Sequence, residues 1–137
     1  MAPTTRTDPP VVRVAAAVVI RDGSVLMTRR IPGTHLAGYW EFPGGTCEST
    51  ETPAECLRRE MQEELAALVT VGDEMHVTRY RYPDRTVELH FFRCTLVDEP
   101  SPQQGQDMRW VPRGALATLT VPPPDEELVQ RLANGEF

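Results

Sequence analysis

A chain of 137 residues with 40% hydrophobic content suits one domain with its own core, and a formal net charge of −6 excludes a nucleic-acid polymer as partner, because such polymers are gripped by clustered positive charge. All 14 basic residues are arginine, so any side-chain cation that holds a phosphate here is a guanidinium with a bidentate grip. Cys47, Cys56 and Cys94 are odd in number and lack CxxC spacing, which supports neither a disulfide framework nor a zinc site and fits a reduced, cytoplasmic setting.

In chain order, residues 1–10 are polar and proline-rich and read as a disordered leader, leaving 11–137 as a single domain. Val11–Ile20 and Ser24–Arg29 read as strands joined by the hairpin signal Arg21-Asp22-Gly23. The apolar stretch Val14–Ile20 is too short to span a bilayer, so no membrane partner is expected. Residues 31–40 read as a loop leading into a short strand at Glu41-Phe42 and a turn at Gly44-Gly45. Thr52, Pro53 and Glu55 then spell a helix start: a threonine cap, a proline where its missing N–H costs nothing, and a glutamate closing a capping box. The helix runs to Ala66 or Ala67, with Leu57, Met61, Leu65 and Leu68 as its apolar stripe. Strands follow over 69–82 and 86–96, hinged at Pro83-Asp84-Arg85, then a polar loop over 99–105 and a short strand at Met108–Val111. A helical turn over 112–119 and a proline-rich link lead to a terminal helix from Asp125, its N-cap, to about Ala133. Mixed strands with one helix inserted mid-chain and one at the end indicate an α/β protein rather than a repeated parallel βαβ.

On the central helix Glu60, Glu63 and Glu64 stand at i, i+3 and i+4, so their carboxylates converge on one face. Such like-charge pairs cost a helix a few tenths of a kcal/mol each, and the chain has no lysine to offset them. A hard divalent cation, Mg2+ or Mn2+, would neutralise them and share its remaining positions with substrate phosphates; a solvated acidic face is the alternative.

Gly45, Glu51, Arg59, Glu60, Glu63 and Glu64 fall in the pattern G-x5-E-x7-R-E-x2-E-E. That pattern resembles the Nudix box, the signature of hydrolases that cut a nucleoside diphosphate linked to another group. The resemblance implies the Nudix fold, an α/β/α sandwich around a mixed β-sheet. It also implies metal ligation by Glu60, Glu64, Glu63 and the Gly45 carbonyl, with Glu63 or Glu60 as base, and an Arg59–Glu51 ion pair that fixes the carboxylates. Two positions depart from the usual box, Ala66 and Thr50, both where glycine is common. Gln104 replaces a downstream acidic residue that some relatives use.

Within this family, Thr28-Arg29-Arg30, Tyr39 to Gly45 and Pro123-Pro124-Asp125 resemble the MutT-type nucleoside triphosphate pyrophosphohydrolases. This implies attack at the α–β bridge of a triphosphate, oxidised or unmodified, such as 8-oxo-dGTP or CTP/dCTP, with release of monophosphate and pyrophosphate in sanitising the nucleotide pool. By position Arg29 holds phosphate or base, Phe42 lines the base pocket, Asp125 faces the base edge, and His35 sits in a loop that closes over ligand. An ionised Asp125 accepts hydrogen bonds only, which suits the exocyclic amine of cytosine or adenine. ADP-ribose or dinucleoside polyphosphate hydrolysis, or a non-catalytic nucleotide-binding regulator, are the alternatives; the assembly is a monomer or homodimer.

Overall fold

The computed structural model describes residues 10–137. Of the expected leader only Pro10 therefore falls within the described residues, where its carbonyl accepts from Thr86 N at 2.9 Å. Eight strands and two α-helices follow: β1 Val11–Val18, β2 Ile20–Arg21, β3 Ser24–Arg29, β4 Trp40–Glu41, β5 Gly44–Thr46, α1 Pro53–Leu65, β6 Val69–Arg81, β7 Thr86–Leu96, β8 Met108–Pro112 and α2 Glu126–Ala133.

A mixed sheet has the order β5-β1-β7-β6, with β1 parallel to β7 and the other pairs antiparallel. A smaller antiparallel sheet pairs β3 with β2, β4 and β8. The expected single strand Val11–Ile20 is thus two, because the chain leaves the first sheet at Val19 and enters the second at Ile20. The β2–β3 hairpin turns through Asp22 and Gly23, both with positive φ (51° and 77°), as a two-residue hairpin with right-twisted strands requires.

Two hydrophobic layers cover the sheet. Ala15, Ala17 and Val19 pack with Leu57, Met61 and Leu65 of α1, whereas Ala16 and Val18 pack with Phe91, Leu116, Leu128 and Leu132 on the α2 side. This period-two alternation buries both faces of β1 and gives the α/β/α layering that the family resemblance implies. Leu68 does not extend the α1 stripe: it lies beyond the helix end and is 51% exposed, and Cys56 takes a buried place instead. Among the described residues no helix is long and apolar enough to cross a membrane.

The capping box forms as read, with Glu55 N donating to Thr52 Oγ1 (3.2 Å) and Thr52 N to Glu55 Oε1 (2.9 Å). The helix stops at Ala66, whose φ of 49° and ψ of 33° place it in the left-handed region where glycine is usual. The region 112–119 forms a 3-10 helix, Arg113–Thr118, and a second 3-10 turn, Pro123–Asp125, leads into α2.

Candidate active site

The Gly44-Gly45 pair is strand β5, not a turn, and its register with β1 (Ala15↔Gly45, Ala16↔Gly44) brings it under α1. A Cβ on Gly44 would run into the Ala15 backbone, and one on Gly45 would occupy the Glu60 carboxylate. Glycine at both positions therefore serves close approach. The Gly44 amide donates to Glu64 Oε2 at 3.1 Å.

Arg59 organises the carboxylates. Its Nε and Nη2 grip Glu51 at 2.7 and 2.8 Å, its Nη1 reaches Glu60 at 3.0 Å and Glu63 at 3.2 Å, and Nη2 also donates to the Thr46 carbonyl at 3.2 Å. The helix repulsion anticipated from the sequence is thus partly offset by an arginine on the same helix. Arg59, together with the Glu48 amide, holds the Glu51 carboxyl down at about 2.

Glu60 and Glu64 line a cleft of about 290 Å3, as do Gly44 and Gly45, Glu41, Phe42 and Asp125, and the apolar side chains of Val14, Val87 and Leu89. Every acid in it is pushed toward its protonated form. Burial, reinforced by the neighbouring Glu41 charge, lifts Glu64 to about 8. Burial also raises Glu60 and Glu41, the latter opposed by Arg30, which donates to both Glu41 oxygens at 3.1 and 3.0 Å. Burial thus makes ionising these carboxyls together costly, a cost that a cation would offset. The hard oxygen donors fit a divalent cation held by Glu60, Glu64 and the Gly45 carbonyl. Among the described residues no three acidic, histidine or cysteine side chains already stand in metal-holding geometry. Glu63 in particular is turned to Arg59 and 56% exposed, so joining the other ligands requires a change of rotamer.

The expected substrate residues divide. His35, Phe42 and Asp125 line the cleft; Arg29 does not. Arg29 donates to the Gly38 carbonyl at 3.0 Å and faces Asp107 at 3.8 Å, lining a neighbouring hollow. Its place is taken by Arg30, next along the chain and pointing the other way. Phe42 is largely core, 3% exposed and edge-on to Phe91 at 5.4 Å, and only a small part of it lines the cleft. His35 stands edge-on to Tyr82 at 4.9 Å.

Asp125 does not cap α2, since its side chain makes no capping hydrogen bond and it is 4% exposed. Burial, with a contribution from the Glu41 charge, raises its pKa well above the ordinary range, against the pull of the Phe42 amide. That direction favours the protonated carboxyl, which offers one donor and one acceptor, over the ionised, acceptor-only Asp125 expected from the sequence.

The sequence assigned no site role to Arg30, Glu41 or Tyr82, all of which line the cleft. Glu41 carried a usable signal, a charged residue between the apolar Trp40 and Phe42 in a short strand. The cysteines are also corrected. Cys47 and Cys56 form a disulfide, with Cα atoms 5.1 Å apart, and Cys94 is free and buried.

The chain is 30% identical over 129 residues to the 8-oxo-dGTP diphosphatase of Haemophilus influenzae, an alignment covering 93% of this chain and 95% of that protein. It is 37% identical over 79 residues to the CTP pyrophosphohydrolase of Escherichia coli, covering 58% of each. Its fold superposes on the solution structure of the E. coli ORF135 protein with a TM-score of 0.79 at 28% identity, over 89% of this chain and 88% of that one. The MutT protein from Methanosarcina mazei Go1, at 21% identity, shares the fold with a TM-score of 0.84 over 94% and 97% of the two chains. The NUDIX domain model matches residues 15–131, a span that holds the glycine loop, the α1 carboxylates and Asp125, and the chain belongs to the Nudix hydrolase family.

Proposed function

We propose that this enzyme hydrolyses a nucleoside triphosphate, oxidised or unmodified, such as 8-oxo-dGTP or CTP/dCTP, to nucleoside monophosphate and pyrophosphate. The observation that carries the reading is one cleft in which the Glu60 and Glu64 carboxyls adjoin apolar walls and the buried, hydrogen-bonding Asp125. The names of the two relatives above, one an 8-oxo-dGTP diphosphatase and the other a CTP pyrophosphohydrolase, support the same pair of substrates.

Glu60, Glu64 and the Gly45 carbonyl would hold Mg2+, or Mn2+, which when bound offsets phosphate charge and helps orient the attacking water. Arg59 keeps the Glu60 carboxylate in place and tethers the 46–51 loop through Thr46 and Glu51. Glu63, the most exposed of the three, is free to exchange Arg59 for a water and to take its proton. Arg30 steadies Glu41 beneath the substrate, and its charge also favours the triphosphate. Val14, Val87, Leu89 and the cleft-lining part of Phe42 accept the base, and Asp125 reads its edge. The proposal takes 11–137 as one domain, working in the cytoplasm as a monomer or homodimer.

The test is hydrolysis of a nucleotide panel in 18O-labelled water with Mg2+ present. Monophosphate and pyrophosphate as first products are expected. A nucleoside diphosphate with free orthophosphate would remove the α–β cleavage assignment, and preferred turnover of ADP-ribose would move the substrate class.

A further inference from the structure

We propose that Cys47 and Cys56 are a reversible oxidation site that fastens the glycine loop to α1 and thereby tightens divalent-cation binding. The inference rests on the reading of Gly45, Glu60 and Glu64 as cation ligands.

Cys47 lies two residues past Gly45, anchored to β1 by its amide, which donates to the Arg13 carbonyl at 2.8 Å. Cys56 lies in the first turn of α1, its amide donating to the Thr52 carbonyl at 2.9 Å. In the bridged structure the Cα atoms stand 5.1 Å apart while Arg59, Glu51, Glu60 and the Thr46 carbonyl keep their contacts. The bond is therefore compatible with the assembled site. The loop it closes carries Glu51, so the bond adds a covalent restraint to a segment that Arg59 and Arg13 hold by ion pairing and hydrogen bonds.

The second link is to the Gly45 carbonyl, which lies 3.6 Å from the Cys56 sulfur. A Cys56 thiol can donate its S–H to that oxygen and compete with a cation for it, whereas a bridged sulfur has no hydrogen to give. Oxidation thus removes a competing donor and narrows the loop's conformations together, and both effects favour the bound cation.

With a peroxide as oxidant the chemistry balances. The partly exposed Cys47 sulfur attacks one peroxide oxygen, the O–O bond breaks, and water leaves with the thiol proton, giving a sulfenic acid. Cys56 sulfur then attacks Cys47 sulfur, the S–O bond breaks, and the departing hydroxide takes the Cys56 proton. Two thiols lose two electrons in all, the peroxide gains them, and two waters form; a dithiol reverses the step. Cys94 is buried among apolar residues and stays a thiol.

The experiment compares dithiothreitol-treated and peroxide-treated protein without metal, then titrates each with Mn2+. Peroxide should remove about 2 Da from the joined Cys47 and Cys56 peptides, leave one thiol in denaturant, and raise Tm by several degrees. It should also lower the Mn2+ Kd by about threefold or more. Cys47→Ser should abolish the mass loss, the Tm rise and the tighter Mn2+ Kd, and Cys94→Ala should preserve these three while leaving no thiol after peroxide. Three thiols persisting after peroxide, or a bridge that leaves Tm and Mn2+ Kd at their reduced values, would overturn the proposal. A bridge that raises Tm in a protein that binds Mn2+ in neither redox state would instead overturn the metal ligands on which it rests, and the tightening with them.

Discussion

Arg59 grips both oxygens of Glu51, eight residues back along the chain, through Nε at 2.7 Å and Nη2 at 2.8 Å, and so ties the loop after the glycine strand to the first turns of α1. The pair is fork-to-fork, with the Glu51 side chain only 14% exposed, so it holds its geometry better than an ordinary surface ion pair.

The titration of Glu51 supplies a test. Its carboxyl falls from 4.5 to about 2 on folding, so the unfolded chain binds more protons in between, and the stability it contributes is full above about 4.5 and lost as pH drops toward 2. Urea denaturation of wild type and Glu51→Gln from pH 7 to pH 3 should show a deficit in the variant that is constant down to about 4.5 and shrinks with further acid. A pH-independent gap would show that the substitution acts through packing and not through the Arg59 pair.

Glu64 behaves oppositely. Its pKa rises from 4.5 to about 8 in the metal-free fold, so the folded protein binds the extra proton, and stability should decline as pH rises through that window. By pH 8 the loss is on the order of a few kcal/mol. Glu64→Gln should flatten the decline, and Mg2+ should reverse it in wild type only. The same substitution, or Glu60→Gln, should lower kcat at least about a hundredfold. Near-wild-type turnover in both variants would remove the carboxylates from the proposed chemistry.

Helix α1 was legible because its signals are local: a cap, a proline and an apolar stripe inside one short segment. The break at Val19 was not, because Val19 is buried like its neighbours and the apolar run carries no mark where the strand changes sheets. Gly44-Gly45 looked like a turn because sequence shows the missing side chains but not the Ala15 backbone and Glu60 carboxylate that exclude them. Arg29 and Arg30 are adjacent and chemically identical, and only the pairing of β3 with β4 decides which one faces the cleft. The approach of Cys47 to Cys56 likewise depends on how α1 docks on β5, a tertiary fact that cysteine spacing does not encode. The family pattern supplied the carboxylate set that periodicity alone left between metal site and solvated face.

Ala66 offers a stabilising substitution. Its φ of 49° is left-handed, a conformation that costs a residue with a Cβ roughly 1 kcal/mol relative to glycine, and its amide keeps the terminal hydrogen bond to the Gln62 carbonyl at 3.0 Å. Ala66→Gly should therefore raise stability by about 0.5–1 kcal/mol, seen as a Tm increase of a few degrees, with kcat unchanged. A lower Tm would mean that the added freedom of the unfolded chain outweighs the relieved strain.

The last prediction concerns how the base is read. A protonated Asp125 has one donor and one acceptor, the pair that an asparagine amide also presents, so Asp125→Asn should keep kcat/KM for CTP, dCTP and 8-oxo-dGTP within about 1 kcal/mol of wild type, with their ratios preserved. Asp125→Leu puts an apolar side chain of similar size in its place and loses both groups, and should cost about 1–3 kcal/mol on every nucleotide whose edge is read there. The measurement is kcat/KM for the three nucleotides in all three proteins at neutral pH. If Asp125→Asn at neutral pH already shifts the CTP to 8-oxo-dGTP ratio by 1–3 kcal/mol, Asp125 is ionised against the bound base, and substrate binding itself draws the proton from the buried carboxyl.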